Sequence, residues 1–524
     1  LKKLIGGERT VLMIISTLTD LIHPFYGSTV LSVAVLISLF FVLSYRKGFK
    51  IFIVIIAALA ISGALFLDFY YLRATENFSN YLFKFGFLQG VEVIIILFAA
   101  INILVFLAIR NFNDKNLIKI IVVLLFSLIC MNMFIVASNF LMIFSSLVLT
   151  ILCIFQILTL LDGTSTLKSF SRYSIKNYTI RFFMVTVFSL LLILVGFSLI
   201  FGATDFKNFT QIIESGKIQV TIIAAGVLLI FSSIYFLLPL FPFQNAYLKL
   251  GRRCEGSSLL VVWFLYIPVG IFLLLKVYEP LMYFMEKNNQ AVSILFIIIS
   301  ALSIIGGNLG ALRSKSLRRI FLFLFLSMIG MSALAFAQKS LGLMETERTL
   351  WLVVANLVSG IIFYFPAFAI FYEIEGHTGS DLLNGIRGFS RTHRYFGVNL
   401  IILLISFAGM IGTSGYFTKV FYIQPYLSFL NGTTTGYSGS MMLIVISGII
   451  AITGILFIAA NVVRVIVVLL QKPEQQGEIY QFPKFYYPYV LIFTLLALGI
   501  GIVGILGFNG ISPVLDNYNI INIF

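Results

Sequence analysis

Between Arg387 and Ile423 the chain reads RGFSRTHRYFGVNLIILLISFAGMIGTSGYFTKVFYI. A basic, water-facing segment (Arg387, Arg391, His393, Arg394) enters an apolar run, three glycines (Gly409, Gly412, Gly415) interrupt that run, and one lysine, Lys419, follows the interruption. An ε-ammonium can take up and release a proton, and this spacing sets one beside a break in the backbone ladder. Glycine weakens a helix, and a break at membrane depth is tolerated only where protein or a water-filled cavity satisfies the freed N–H and C=O groups. A lysine in hydrocarbon is costly. Two readings follow: a broken helix facing the protein interior, as in ion-translocating carriers, or a lysine that snorkels from a helix end to the headgroups.

A second interruption lies upstream, in FSSIYFLLPLFPFQ, where Pro239 and Pro242 stand within one turn. Each removes a backbone donor and clashes with the preceding turn, so a kink is expected there. Other chemistry finds little support. Cys130, Cys153 and Cys254 lack metal-type or disulfide-framework spacing, and His377 and His393 have no third ligand, so no metal site is read. No phosphate-binding glycine fingerprint follows a strand, and Gly306, Gly307 and Gly310 read as close helix packing.

The elements that must hold these residues are set by composition. With 60% hydrophobic residues, 10% charged and a mean hydropathy of +1.07, the chain is an all-α polytopic membrane protein. A β-barrel is excluded, because its segments alternate and are about half as long. The formal charge of +15 would indicate nucleic acid in a soluble protein; here it sits in short loops, and no nucleic-acid partner is read. About fourteen spans are expected, near 28–45, 50–70, 87–109, 117–137, 139–161, 180–201, 218–241, 258–278, 290–311, 319–338, 350–372, 395–428, 440–469 and 487–507. Loops after odd-numbered spans carry the basic residues, for example Arg46 and Lys47, Arg172 and Lys176, Lys249 and Arg252, Arg313 and Lys315. The positive-inside rule then places both termini away from the cytoplasm or matrix. Residues 10–26 are read as an interfacial helix, although Lys2, Lys3 and Arg9 would fit better if that stretch crossed. The interrupted spans are the seventh and twelfth, five apart, which is the pattern of two inverted five-helix repeats.

Four segments then carry a family resemblance: LLPLFPFQNAYLKLGRRCEGSSLLVVWFLYIPVGIFLLLKVY, NLGALRSKSLRRIFLFLFLSMIGMSAL, the Arg387–Ile423 stretch and NVVRVIVVLLQKPE, in that order. Together they resemble the antiporter-like membrane subunits of respiratory complex I (NADH:quinone oxidoreductase), most closely the subunit N group, the counterpart of mitochondrial subunit 2. The related subunits of multi-subunit cation/proton antiporters share the motif. The resemblance covers roughly residues 110–475 and divides the chain into an N-terminal interfacial segment (1–27), three leading spans (28–110), a first repeat (111–278), a second repeat (290–470) and a C-terminal span and tail (471–524).

The resemblance implies a multi-pass subunit of a bacterial plasma (inner) membrane or mitochondrial inner membrane. It would translocate protons without a redox site or cofactor of its own, among other membrane-arm subunits and membrane lipid. Such subunits carry mid-membrane ionisable groups that bias one another by Coulomb coupling. The span-twelve lysine of the family is matched by Lys419 and the span-thirteen arginine by Arg464. The span-five glutamate falls near Val148, the lysines of spans seven and eight near Leu237 and Ile267, and the span-ten histidine near Met328. Span eight offers only Lys276, near its loop end. Hydroxyls remain, among them Ser145, Ser146, Ser232, Ser233, Tyr235, Ser257 and Ser258. The expectation is therefore a degenerate N-type subunit that keeps the scaffold, with Lys419 and Arg464 as proton-path candidates. The alternative is a subunit of a non-redox cation/proton antiporter or ion-driven uptake complex.

Asp68 and Glu92 sit toward span ends as solvated carboxylates, and Asn132, Asn139, Asn308, Asn356 and Asn461 glue helices by hydrogen bonds. Glu373 and Glu375 read as loop carboxylates facing the basic residues before span twelve. Trp263 reads as a packed helix residue and Trp351 as an interfacial anchor.

Overall fold

Backbone groups in an apolar solvent must bond within their own segment, and long runs of Leu, Ile, Val and Phe do so as helices. The computed structural model describes residues 26–43, 49–72, 78–79, 84–110, 116–162, 172–204, 221–253, 256–285, 289–378, 381–430, 440–472 and 482–510. Residues 10–25 of the stretch read as an interfacial helix, Cys254 and the loop residues Arg46 and Lys47 lie outside the described residues. The helices are α1 (Tyr26–Leu43), α2 (Phe49–Leu72), α3 (Phe87–Arg110), α4 (Leu117–Val136), α5 (Phe140–Asp162), α6 (Arg172–Thr204), α7 (Thr221–Leu237), α8 (Gln244–Arg253) and α9 (Gly256–Val261). They continue as α10 (Ile267–Met285), α11 (Asn289–Arg313), α12 (Leu317–Ser340), α13 (Thr346–Thr378), α14 (Phe389–Thr392), α15 (Arg394–Ala408), α16 (Ser414–Leu430), α17 (Met441–Leu470) and α18 (Tyr486–Gly510). The described strand structure is one antiparallel pair, Phe78–Ser79 with Lys84–Phe85.

Among the described residues eleven helices are long and apolar enough to cross a membrane, and three shorter apolar helices accompany them: Gly27–Phe40, Ile222–Leu237 and Arg394–Ala408. The chain is thus a multi-pass integral membrane protein. Two departures from the sequence expectation concern backbone breaks. Where a kinked span was expected around Pro239 and Pro242, α7 stops at Leu237 and turns run through Phe243. With two donors lost three residues apart, the ladder ends instead of bending. The chain resumes as α8, whose Tyr247, Leu248 and Leu250 are buried while Lys249 is exposed. In the eighth apolar run, Val262–Tyr266 forms a π-helical segment in which the N–H of Ile267 bonds the carbonyl of Val262. Pro268, just beyond, cannot bond Phe264 in the α pattern, and the wider turn relieves that conflict.

The chain divides into two units. One comprises Leu1–Thr179, Leu190–Ile230 and Ser257–Leu273, the other Ile180–Ser189, Phe231–Gly256 and Leu274–Phe524. In the first, α4 packs on α1, α2, α3 and α5. The buried stripe Ile53, Ala57, Ile61 and Ala64 of α2 follows helical periodicity. Trp263 is fully buried in the π segment, which packs on α3 and α5. Asp68 and Glu92, read from sequence as solvated, are buried at 6% and 3% exposure. The Asp68 carboxyl lies against Gly27, whose N–H donates to it in the first turn of α1, where the helix leaves N–H groups free to donate.

In the second unit α12 is the hub, packing on α8, α11, α13 and α17. It starts at Ser316, whose side chain accepts from the N–H of Arg319 at 3.3 Å. Its neighbour α11 comes close because Gly307 has no side chain; a Cβ there would meet the Phe323 carbonyl oxygen at 2.7 Å.

Candidate functional site

The glycine-interrupted run folds as two half-helices. Helix α15 ends at Ala408, and Gly409 takes the left-handed conformation (φ 91°, ψ 37°) that only glycine adopts at little cost. Its N–H bonds the Ser406 carbonyl at 3.0 Å, and the N–H of Met410 bonds that of Ile405 at 3.2 Å, so the helix end closes on itself. A second left-handed glycine, Gly412 (φ 87°), completes the turn. The Thr413 hydroxyl donates to the Met410 carbonyl at 2.6 Å, and α16 begins at Ser414. The half-helices press together, since a Cβ on Gly415 would run into the Ser406 carbonyl.

Lys419 lies in the second turn of α16 and is 4% exposed. Its stem passes Gly409, where a Cβ would stand 2.5 Å from Cγ. Its Nζ sits 5.6 Å from the centre of the Phe407 ring, which is stacked on Phe363 at 4.4 Å. Of the two sequence readings, the interior one holds: Lys419 is enclosed by protein, with its ammonium on an aromatic face worth about 0.5–2 kcal/mol to a cation.

Lys419, Tyr422 and Tyr426 are spaced by three and four residues and share one face of α16. Both tyrosines are buried. Gln338 of α12 donates to the Tyr422 main-chain carbonyl at 2.7 Å. The Tyr422 hydroxyl faces Ser332, and the Tyr426 hydroxyl faces Ser447 and Gln338, without closing hydrogen bonds. Asn356 of α13 donates to Ser332 Oγ and to the Met328 carbonyl, both at 2.9 Å. The result is a band of hydroxyls and amides from Lys419 toward the Met441 end of α17. Gln338 Oε1 and Asn356 Oδ1 are also buried without a partner. Buried polar atoms left unpaired cost about 1–3 kcal/mol each, so a band of this kind suits water. The tyrosine spacing was visible in the sequence; Gln338, 84 residues away from Tyr422, was not.

Arg464 lies elsewhere, on α17. Its guanidinium donates to the carbonyls of Ala311 at 3.2 Å, Leu312 at 2.5 Å and Ser314 at 2.9 Å, the open end of α11. Asn461, one turn earlier, donates to the Asn308 carbonyl at 3.2 Å, and Asn308 donates to Ser327 Oγ at 2.8 Å. The structure thus places Lys419 at the break and Arg464 on a helix end. Pro239 and Pro242 stand in the turn after α7, where the N–H of Phe241 donates to Ser303 Oγ at 3.0 Å.

The residues near which the resemblance would set the family's other ionisable groups are apolar: Leu237, Ile267 and Met328 are buried and Val148 is half-buried. Glu373 and Glu375 stand within α13, not in a loop. Glu375 pairs with Arg318, 57 residues away, at 2.6 and 2.7 Å, and Glu373 accepts from the Tyr486 hydroxyl at 3.2 Å. These partners lie on α12 and α18, and both carboxylates fall inside the last turns of α13. No group of three or more His, Cys, Asp or Glu that could hold a metal occurs among the described residues.

Residues 137–451 match the family described as NADH:quinone oxidoreductase/Mrp antiporter, TM. A curated relative, NADH-quinone oxidoreductase subunit N of Geobacillus kaustophilus, is 26% identical over 243 residues, covering 44% of this chain and 47% of that protein. The chain spans about half the length of the first curated relatives it matches, at 47, 59 and 56%. Among solved structures, a chain of respiratory complex I from Thermus thermophilus superposes with a TM-score of 0.69 at 16% identity, over 92% of this chain and 98% of that one. A chain of the Mrp complex from Dietzia sp. gives 0.72 at 13% identity, over 93% and 95%. At these identities the two structures share its fold.

Proposed function

The chain belongs to the NADH:quinone oxidoreductase/Mrp antiporter transmembrane family, and from that premise we propose that it is a membrane-arm subunit of an NADH:quinone oxidoreductase-type complex, with Lys419 as the group that exchanges protons. The observation that carries this reading is the lysine enclosed at a glycine-held helix break, at 4% exposure, with Tyr422 and Tyr426 continuing its face of α16. The band leads away from the basic loops, toward the side opposite the cytoplasm or matrix. Water held by Tyr422, Gln338, Tyr426 and Ser447 carries protons along it. Val148, Leu237, Ile267 and Met328 cannot change charge. Coulomb coupling across the whole subunit therefore has no carrier at those positions, and the subunit works as a degenerate N-type scaffold with one half-channel. Arg464 holds the end of α11 and does not exchange protons.

Purification from native membranes in mild detergent, through a tag on this chain, tests the assignment. Co-purification of flavin and iron–sulfur subunits with quinone reductase activity is the expected result. The family description also names Mrp antiporters, which supports a second reading as a subunit of a non-redox cation/proton antiporter. Recovery with other membrane chains but without redox subunits would favour that second reading.

A further inference from the structure

On the basic side of the second unit, α8 lies against the start of α12, with the Tyr247 and Phe325 rings 6.4 Å apart. Further toward the helix ends, Arg252 of α8 and Arg319 of α12 bring two guanidinium charges into mutual repulsion. Burial, and secondarily the charge of Arg319, push the Arg252 guanidinium below its ordinary value. Arginine nevertheless stays cationic, so the repulsion persists. The Arg252 Nε–H is buried and has no hydrogen-bond acceptor. Lys249, one turn earlier on α8, adds a third, exposed cation. Among the described residues, the carboxylates at the α12 N-terminus are committed: Glu375 to Arg318 at 2.6 Å, and Asp381 to the Ser316 hydroxyl. Among the described residues, two like charges held together with a buried, unanswered donor have no anion beside them.

We propose that Arg252 and Arg319 form a binding site for the phosphate of an anionic phospholipid headgroup at the basic face of the membrane. The ligand class follows from the chemistry. Guanidinium forks match phosphate oxygens, and an amphipathic helix with a basic polar face lies at headgroup level. The source follows from placement, because α8 directly follows the end of an apolar helix and precedes the next apolar run. The site is independent of Lys419 and stands whether or not the chain conducts protons.

The test uses the purified complex containing this chain, stripped of lipid in detergent, with phosphatidylglycerol, phosphatidylcholine and inorganic phosphate as separate probes and bound lipid counted by native mass spectrometry. Phosphatidylglycerol is expected to bind and phosphatidylcholine not. Arg252→Gln and Arg319→Gln should each weaken binding about fivefold, and the double variant about twenty-five-fold, from the usual contribution of one basic residue near an anionic surface. Arg252→Lys, which keeps the charge but not the fork, should lose less binding than Arg252→Gln and guards against a folding defect in that variant; Arg319 is exposed and tolerates substitution. Equal phosphatidylglycerol binding by wild type and double variant, or equal binding of phosphatidylcholine, overturns the site. Displacement of phosphatidylglycerol by millimolar inorganic phosphate would make it a free-anion site and overturn the lipid assignment.

Discussion

Replacing Arg464 separates a capping role from a proton-carrying one. The guanidinium spends its donors on three main-chain carbonyls, those of Ala311, Leu312 and Ser314. Two of these contacts share Nη1, so they count as about two charge-assisted bonds, each contributing roughly 1.5–3 kcal/mol. Arg464 is half-buried, and water can reach part of the exposed helix end after truncation. The loss for Arg464→Ala should therefore be near the low end, about 3 kcal/mol. For a chain of 524 residues unfolding as one unit, with an entropy of about 2 cal/mol/K per residue, that lowers the midpoint by about 3 °C. Arg464→Lys should recover part of it, since one ammonium cannot fork across three carbonyls. The assay is the thermal midpoint of the purified complex, followed through this chain, beside the proton-to-electron ratio of the same preparation in liposomes. A lower midpoint with an unchanged ratio is expected. An unchanged midpoint with a reduced ratio would refute the capping account and return Arg464 to the proton path.

Three further substitutions probe the second unit. Gly409→Ala forces a left-handed alanine, costing about 1–2 kcal/mol, and sets its Cβ 2.5 Å from Lys419 Cγ; both thermal stability and proton translocation should fall, and retention of both would show that the break does not position the lysine. Arg318→Ala leaves Glu375, 16% exposed, without its partner and should destabilise by about 3 kcal/mol; Arg318→Met with Glu375→Leu should restore most of that loss, and a double variant as unstable as the single one would count against the pair. Tyr426→Phe removes a buried hydroxyl that has no hydrogen bond, so the stability should hold within about 1 kcal/mol while proton translocation slows; unaltered translocation would take Tyr426 off the route.

The helices were legible in the sequence because the bilayer imposes a length, and runs of about twenty apolar residues announce themselves. Lys419 was legible as a candidate but not as a buried one. Burial and snorkelling both place a lysine after an apolar run, and only the packing of Phe407 and Gly409 around it decides between them. What stayed hidden depended on partners distant in the chain. Arg464 meets its carbonyls across 150 to 153 residues, and Glu375 meets Arg318 across 57. Asp68 looked like a solvated end residue because nothing in its own helix indicates Gly27. Pro239 and Pro242 signalled a backbone fault but not its kind, since whether a helix bends or stops depends on what receives the freed groups, here partly Ser303. The π segment before Pro268 had a local cause, and a proline inside an apolar run was its only sign.

Proton exchange by Lys419 at the helix break is the step on which the proposed function rests. It is tested most directly by the proton-to-electron ratio of the assembled complex in sealed liposomes, wild type against Lys419→Ala, with quinone reduction measured in parallel. A reduced ratio with continuing quinone reduction is expected. An unchanged ratio in a stably assembled variant would contradict it and leave this chain a scaffold.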